Sequence, residues 1–450
     1  MNRCWEIWGR GLRAAGPYPY EKLPQTPTPN PLSFLAGEEG PEAQLPQLTF
    51  SGLGGGCGGR AGASSPWPSP HQNKFMGQSR KLWPKNFLFS LFLFITLLLA
   101  GPGGAGPQEF QAARPGRVFH FPRDHGAHPE FKTEWWYYVG HLASQGGEAF
   151  GYQLTFFRSA LKKPDPQAKS AWALHTIFFA HLALTDVNRR TFLFREKAGR
   201  GALGLAGAEA GAGRVWIDSW QAELKGNDFH LKAKDQGVAL DLILTPKKAP
   251  ALHGDGGFSR KAAAPEAAGY YYSLSRLATR GHLTLDGRIL EVQGTSWMDH
   301  EFFTGSLAPS LVGWDWFALQ LDDGAEVMLY LLRRQDGSLD PASSGTLIDP
   351  QGRAAHLTLP DFKVTTTATW KSPHSQTTYP AGWEVTIPAS GYHLSLTPSL
   401  ADQEIRAQNP APITYWEGQV QIQGHKNQQP ITGRGYTELT GYAGEMAEWF

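Results

Sequence analysis

The chain has 450 residues, with 41 Lys and Arg against 40 Asp and Glu and a net charge of +1. A nucleic-acid-binding protein would carry a basic excess, so that partner class is set aside, and the length predicts two or three domains. Its two cysteines, Cys4 and Cys57, lie near the start. The rest of the chain therefore offers no disulfide, no thiolate nucleophile and no zinc–thiolate site.

Residues 1–75 hold 12 Gly and 11 Pro, in runs such as TPTPNP and GLGGGCGG. A stretch of that composition cannot bury a core and reads as a disordered extension. Residues 76–106 read as a signal peptide. Arg80, Lys81 and Lys85 precede the apolar run Phe87–Ala100, and the small residues GPGGAG follow. A run of 14 residues is short for a membrane span. Cleavage is expected near Ala105, with Met76 as the true start. The other reading is a cytosolic extension with Phe87–Ala100 as an anchor. The signal-peptide reading places the protein in the periplasm or outside the cell.

From Phe119 onward strand follows strand. Ala149–Arg158, Trp172–Thr185, Arg190–Arg195 and Val238–Thr245 are rich in β-branched and aromatic residues or alternate apolar with polar. Asp286-Gly287, Asp323-Gly324 and Asp336-Gly337 signal hairpins, because that dipeptide accepts the positive φ angles of a type I′ turn. Lys197–Gly213 reads as a short helix or a loop. Strand-like pieces continue through Phe362–Trp370, Gly382–Ile387, Tyr392–Thr397, Tyr415–Gln423 and Ile431–Leu439. About seventeen strands are too many for one small barrel and suit two.

Two stretches concentrate the chemistry. Asp124–His141 reads DHGAHPEFKTEWWYYVGH, and Gly294–Phe303 reads GTSWMDHEFF. In a strand, alternation sends Trp135 and Tyr137 to one face and Glu134, Trp136 and Tyr138 to the other. It likewise sends Trp297, Asp299 and Glu301 one way and Met298, His300 and Phe302 the other. Both faces are aromatic, so both are expected to be covered, and a buried carboxylate is costly unless paired or neutral.

These two stretches resemble the carotenoid 1,2-hydratase (hydroxyneurosporene synthase) and AttH-type lipocalin-like family, from about Phe119 to the C-terminus. The resemblance implies an all-β fold of two lipocalin-like (calycin) antiparallel β-barrels packed together. One is expected over residues 115–303 and the other over 304–450, with the boundary near Trp297–Gly313.

The candidate residues each carry a second reading. His125, His128 and Glu134 have the donors for a zinc or iron site, but the spacing is loose and structural hydrogen bonding is the commoner outcome, so no metal is expected. His175 and His181, six apart, share a strand face and either line a pocket or sit as satisfied core histidines. Asp299, His300 and Glu301 stand between aromatic pairs, where burial shifts pKa values as functional sites do. Their alternative is an inter-domain salt-bridge network with Arg158 or Arg276. Trp314 and Trp316 flank Asp315 and share a face, as a cation-stabilising wall or as plain core.

Two functions remain. In the first, the barrels bind a long hydrophobic molecule, a lipid or isoprenoid, in association with a membrane or an ABC export system. In the second, the chain is a hydratase of the carotenoid type, which needs no cofactor. The resemblance then makes Asp299 the acid, with His300 or Glu301 assisting and Trp297 and Glu134 lining the cation's site. In both readings Trp136, Tyr138, His175, His181, Trp314 and Trp316 contribute to the ligand's surroundings.

Overall fold

The computed structural model describes residues 110–163, 174–264, 266–305 and 308–444. The extension, the apolar run Phe87–Ala100 and the cleavage zone lie outside the described residues. Among the described residues there are 23 strands, three single-turn 3-10 helices and no α-helix. The strands form two antiparallel sheets, each curled into a barrel-like shell.

Both sheets follow one plan. In the first, Thr133–Ser144 and Arg288–Phe303 pair at the centre, although they open and close that part of the chain. On one side the sheet steps out through Ala149–Ala160 and Thr176–Asp186 to Thr191–Arg200. On the other it steps through Ala268–Leu285 and Val238–Pro246, then back along the chain to Ala206–Glu209. Its two edges are thus consecutive in sequence, and they are brought together by curling. The second sheet repeats this, with Leu311–Leu321 paired to Gln429–Leu439 and the edges at Ala354–Thr358 and Lys363–Lys371.

Lys197–Gly213 holds no helix, and its loop at 201–205 joins two strands. It holds the end of Thr191–Arg200 and all of Ala206–Glu209. Its Ala and Gly show no apolar–polar alternation, so the strand signal is missing where the pairing is nevertheless made. Of the three hairpin dipeptides, only Asp286-Gly287 has both residues at positive φ, 50° and 78°. At Gly324 and Gly337 the glycine alone is positive, at 84° and 82°. Gly324 donates back to the Leu321 carbonyl and Gly337 to that of Arg334. Those turns are therefore longer loops with a left-handed glycine rather than two-residue turns.

Three apolar regions result. Inside the first shell lie Trp136, Tyr138, Tyr272, Leu274 and Met298. Inside the second lie Phe317, Tyr379, Trp383 and Trp416. The third is the seam where the sheets face each other, with Tyr137, Val139, Trp297, Trp316, Met328 and Tyr436. Close approach there depends on Gly151. A Cβ at that position would stand 2.6 Å from the Tyr436 hydroxyl and 2.8 Å from the Gln419 side chain.

The seam is also clamped by charge. Glu326, buried in the second sheet, accepts Lys248 Nζ at 2.7 Å and Arg276 Nε at 2.5 Å, both from the part of the chain that builds the first sheet. Lys248 also donates to the Gly324 and Asp349 carbonyls. Removing the anion strands two cations away from water. Glu326→Gln is expected to cost about 3–5 kcal/mol, read as a lower denaturant midpoint. An unchanged midpoint would show that the clamp contributes no net stability.

Candidate functional site

The central pair of the first sheet sorts its side chains onto two faces. Its register sets Glu134 opposite Phe302, Trp136 opposite His300 and Tyr138 opposite Met298, all facing into the first shell. The intervening residues pair Trp135 with Glu301, Tyr137 with Asp299 and Val139 with Trp297, all facing the seam. Adjacent residues thus serve two separate environments.

The inward face carries a closed polar network. Glu134, fully buried, accepts Arg158 Nε at 3.0 Å, His128 Nδ1 at 2.8 Å and His300 Nε2 at 2.8 Å. Tyr272 hydroxyl lies 2.9 Å from His300 Nδ1 and 2.8 Å from His125 Nδ1. Burial resists the charge on Glu134, but Arg158 and the two imidazoles overcome it and hold the carboxyl far below its usual range. His128 is raised, because hydrogen bonds to Asp124 and Glu134 outweigh its burial. His300 is lowered by burial and stays neutral at neutral pH. Arg158 and His128 stand against Glu134 and Asp124, and Arg117 also reaches Asp124 at 3.3 Å.

The ligand-type atoms of His128, Glu134 and His300 lie within 4.8 Å of one another. Each is already taken by a hydrogen bond, and a divalent ion would add charge beside Arg158. The donor set therefore fits a proton-filled structural network better than a metal centre.

The outward face opens onto a cavity of about 160 Å³ at the seam, walled by both sheets. Ten Phe, Trp and Tyr side chains line it, among them Trp135, Tyr137, Tyr271, Trp314, Trp316 and Tyr415. Asp299 stands in this wall. Its Oδ1 accepts from Trp297 Nε1 at 2.6 Å and from Ser273 Oγ, and its Oδ2 accepts from the Tyr271 hydroxyl at 2.5 Å. Trp316 Nε1 in turn donates to Tyr271 at 2.9 Å. Glu301 meets Lys261 Nζ at 3.1 Å, and that ammonium lies 4.3 Å from the centre of the Tyr330 ring. From the second sheet, Glu438 accepts Trp314 Nε1 at 2.7 Å. Its cross-strand neighbour Glu417 accepts the Tyr137 hydroxyl and, at 2.9 Å, Gln153 Nε2.

The two sets of buried carboxylates differ in kind. Glu134 and Glu326 are paired with cations. Among the described residues, Asp299, Glu417 and Glu438 receive only neutral donors. Neutral donors offset part of the desolvation cost but do not cancel a charge. Burial accordingly lifts Asp299 and Glu438 each to about 7, and it lifts Glu417 well above the carboxylate range, with Glu438 adding to the effect. Glu301 is raised as well, burial outweighing Lys261.

The sequence candidates therefore divide. Asp299, Glu301, His181, Trp314 and Trp316 line the cavity, and Trp297 holds Asp299 from within the wall. Glu134, Trp136, Tyr138 and His300 do not join them. They lie on the other side of the sheet, so Glu134 cannot line a cation's site beside Asp299. His175 precedes its strand and is absent from the cavity wall. Its carbonyl accepts the Leu161 amide. Neither Arg158 nor Arg276 reaches Asp299, since they are taken by Glu134 and Glu326. His181 bonds Tyr415 hydroxyl through Nδ1 at 2.7 Å, and burial drops it to about 3.

Tyr137, Tyr271, Lys261, Glu417 and Glu438 were not singled out from the sequence. A signal existed for the glutamates. Each is the lone acid of its strand and has an aromatic residue within two positions, in TYWEGQV and YTEL.

A family model described as AttH-like matches residues 112–442. Among solved structures, a putative AttH from Nitrosomonas europaea superposes with a TM-score of 0.67 at 33% identity, covering 74% of this chain and 100% of that one. Kievitone hydratase from Nectria haematococca superposes with a TM-score of 0.57 at 15% identity, covering 75% of this chain and 98% of that one. At that identity the likeness is one of fold. No curated protein matches the chain.

Asp299 ionises with difficulty in the folded state, about 7 against 3.8 when free. The unfolded chain loses that proton first, so stability falls as pH rises between those values and stays low above them. Asp299→Asn is expected to melt higher than the wild type near pH 8, with the gain gone near pH 4. Calorimetry at both pH values measures it. Equal melting temperatures at the alkaline pH would mean that the carboxyl ionises without cost.

Proposed function

The chain belongs to the AttH-like family, and on that premise we propose that its seam cavity catalyses the acid-driven addition of water to an isolated carbon–carbon double bond of an apolar molecule. The observation that carries this reading is Asp299, a carboxyl kept near half-protonation at neutral pH inside an aromatic wall. Adding water to an alkene needs a proton donor of that strength, rings that tolerate a developing cation, and little competing water.

In this reading the Asp299 proton goes to the less substituted alkene carbon, and the π electrons form the new C–H bond. The more substituted carbon becomes a cation facing indole and phenol rings, with Trp314 and Trp316 on the second sheet's wall. Water closes the C–O bond and gives up a proton. The chemistry calls for no group beyond the side chains and water. A hydratase with the same fold supports the reading as an analogy of architecture.

Cavity size narrows the substrate. A space of about 160 Å³ is close to one that holds a benzene ring. It takes a single ring or the end of an isoprenoid chain, and a long polyene would place only its terminus there. The carotenoid 1,2-hydratase reaction is one member of this class.

A carrier role in an extracytoplasmic export system is the second reading. Both Asp299 oxygens already accept hydrogen bonds, which favours a wall that only holds a ligand.

Purified protein incubated with terpenoid and prenylated aromatic alkenes in ¹⁸O-labelled water separates the two. Labelled tertiary alcohol supports hydration, and tight binding without product supports the carrier. Asp299→Asn is expected to lower kcat/KM by about 10²–10⁴-fold. In the wild type the rate falls as pH rises above about 7, because the acid is then deprotonated. Full activity in the Asn variant would remove Asp299 from the mechanism.

A further inference from the structure

We propose that Glu438, held in place by Glu417, is the second acid–base residue of the seam cavity and takes the proton that the attacking water releases. This rests on the hydration reading above. Glu438 is half-buried and lines the same cavity as Asp299, but it comes from the second sheet. Trp314 Nε1 fixes Oε1 at 2.7 Å. Glu417 stands directly across the strand pair, 1% exposed, and accepts from Tyr137 and Gln153 of the first sheet. Two carboxyls set side by side on paired strands, one of them fully buried, do not readily both ionise, so the pair shares a proton.

The groups facing this pair are acids and neutral donors. Tyr137 and Gln153 come from the first sheet's central strands, Asp299 from the strand beside them, Trp314 from the second sheet, and Tyr415 and Tyr436 flank the pair on its own strands. The strongest influences on both glutamates are burial and neighbouring acids or neutral donors. Glu417 is therefore the proton holder and Glu438 the member that ionises, at about 7. Glu134 and Glu326, buried outside this cavity, are neutralised by Arg or Lys instead.

The step balances. Asp299 gives its proton to carbon as the π bond becomes a C–H bond. A lone pair of water forms the C–O bond to the cationic carbon. One O–H bond of that water breaks, its electrons stay on oxygen, and the proton passes to the Glu438 carboxylate. Solvent then returns a proton to Asp299 and takes one from Glu438. Because donor and acceptor stand on opposite walls, hydrogen and hydroxyl arrive on opposite faces of the alkene. Glu417 is a positioning residue, and its proton donates to Glu438 and eases its ionisation.

Two measurements test this. The first needs no substrate. Infrared difference spectra of wild type against Glu438→Gln and Glu417→Gln read the carboxylic C=O stretch. A protonated carboxyl at neutral pH that disappears in either variant supports the shared proton. Two ionised glutamates at neutral pH overturn the proposal, whatever the enzyme does.

The second uses the alkene turned over in the labelled-water assay. The wild type should show a bell-shaped pH profile centred near 7. Glu438→Gln should lose about 10²-fold in kcat with KM little changed and should lack the rising limb. Glu417→Leu should move that limb to higher pH, and Glu417→Gln, which keeps a donor, should restore it. A Glu438→Gln enzyme with wild-type kcat, or addition of both groups to the same face, overturns the assignment. If no alkene is hydrated, the hydration reading fails on its own account and the infrared result alone decides the proton-sharing pair.

Discussion

Moving a carboxylate out of water is among the most expensive things a folding chain can do. This protein does it repeatedly around its two central strand pairs and settles the cost in two ways. Glu134 and Glu326 are given cations, and the result is rigidity: one ties the entry segment into the first shell, the other ties the shells together. Among the described residues, Asp299, Glu417 and Glu438 are given neutral phenol, indole, hydroxyl and amide donors. Glu301 lies between, with Lys261 beside it but still raised by burial. Uncompensated burial is what leaves protons on acids at neutral pH, so the seam is chemically poised while the shell interior is locked.

The device that keeps these regimes apart is the pleat. Asp299 and His300 are neighbours in sequence and stand on opposite sides of one sheet. His300 is turned into the Arg158–Glu134–His128 network, where every polar atom has a partner. Asp299 is turned into the cavity. A one-residue slip of the Arg288–Phe303 strand would exchange them, placing an uncharged imidazole at the seam and an unpaired acid beside Glu134. The long register with Thr133–Ser144 guards against that.

The cavity is composite. The first sheet supplies Asp299, Tyr271 and Tyr137, and the second supplies Trp314, Trp316 and Glu438. Hydrogen bonds cross the seam at Trp316 to Tyr271 and at Tyr137 to Glu417, so the acids on either wall are coupled through ring donors of the other. The interior of each shell is lined by buried aromatic and aliphatic side chains. Packing two shells face to face creates a space neither has alone.

Much of this was legible in the chain itself. Alternation placed Glu134, Trp136 and Tyr138 on one face and Trp135 and Tyr137 on the other, and it did the same for Asp299 and Glu301 against His300, because a pleated strand has period two whatever surrounds it. The all-β class and the positive-φ turn at Asp286-Gly287 followed from equally local rules. Local rules stop at the surface of the strand: they say which side chains share a face and not what covers it. Which of the two aromatic faces was filled and which was hollow, and that Glu417 and Glu438 would be brought from far along the chain to stand opposite Asp299, was decided by the packing of one sheet against the other. Those contacts are set by curvature and by close-approach sites such as Gly151, and no residue announces its distant partner.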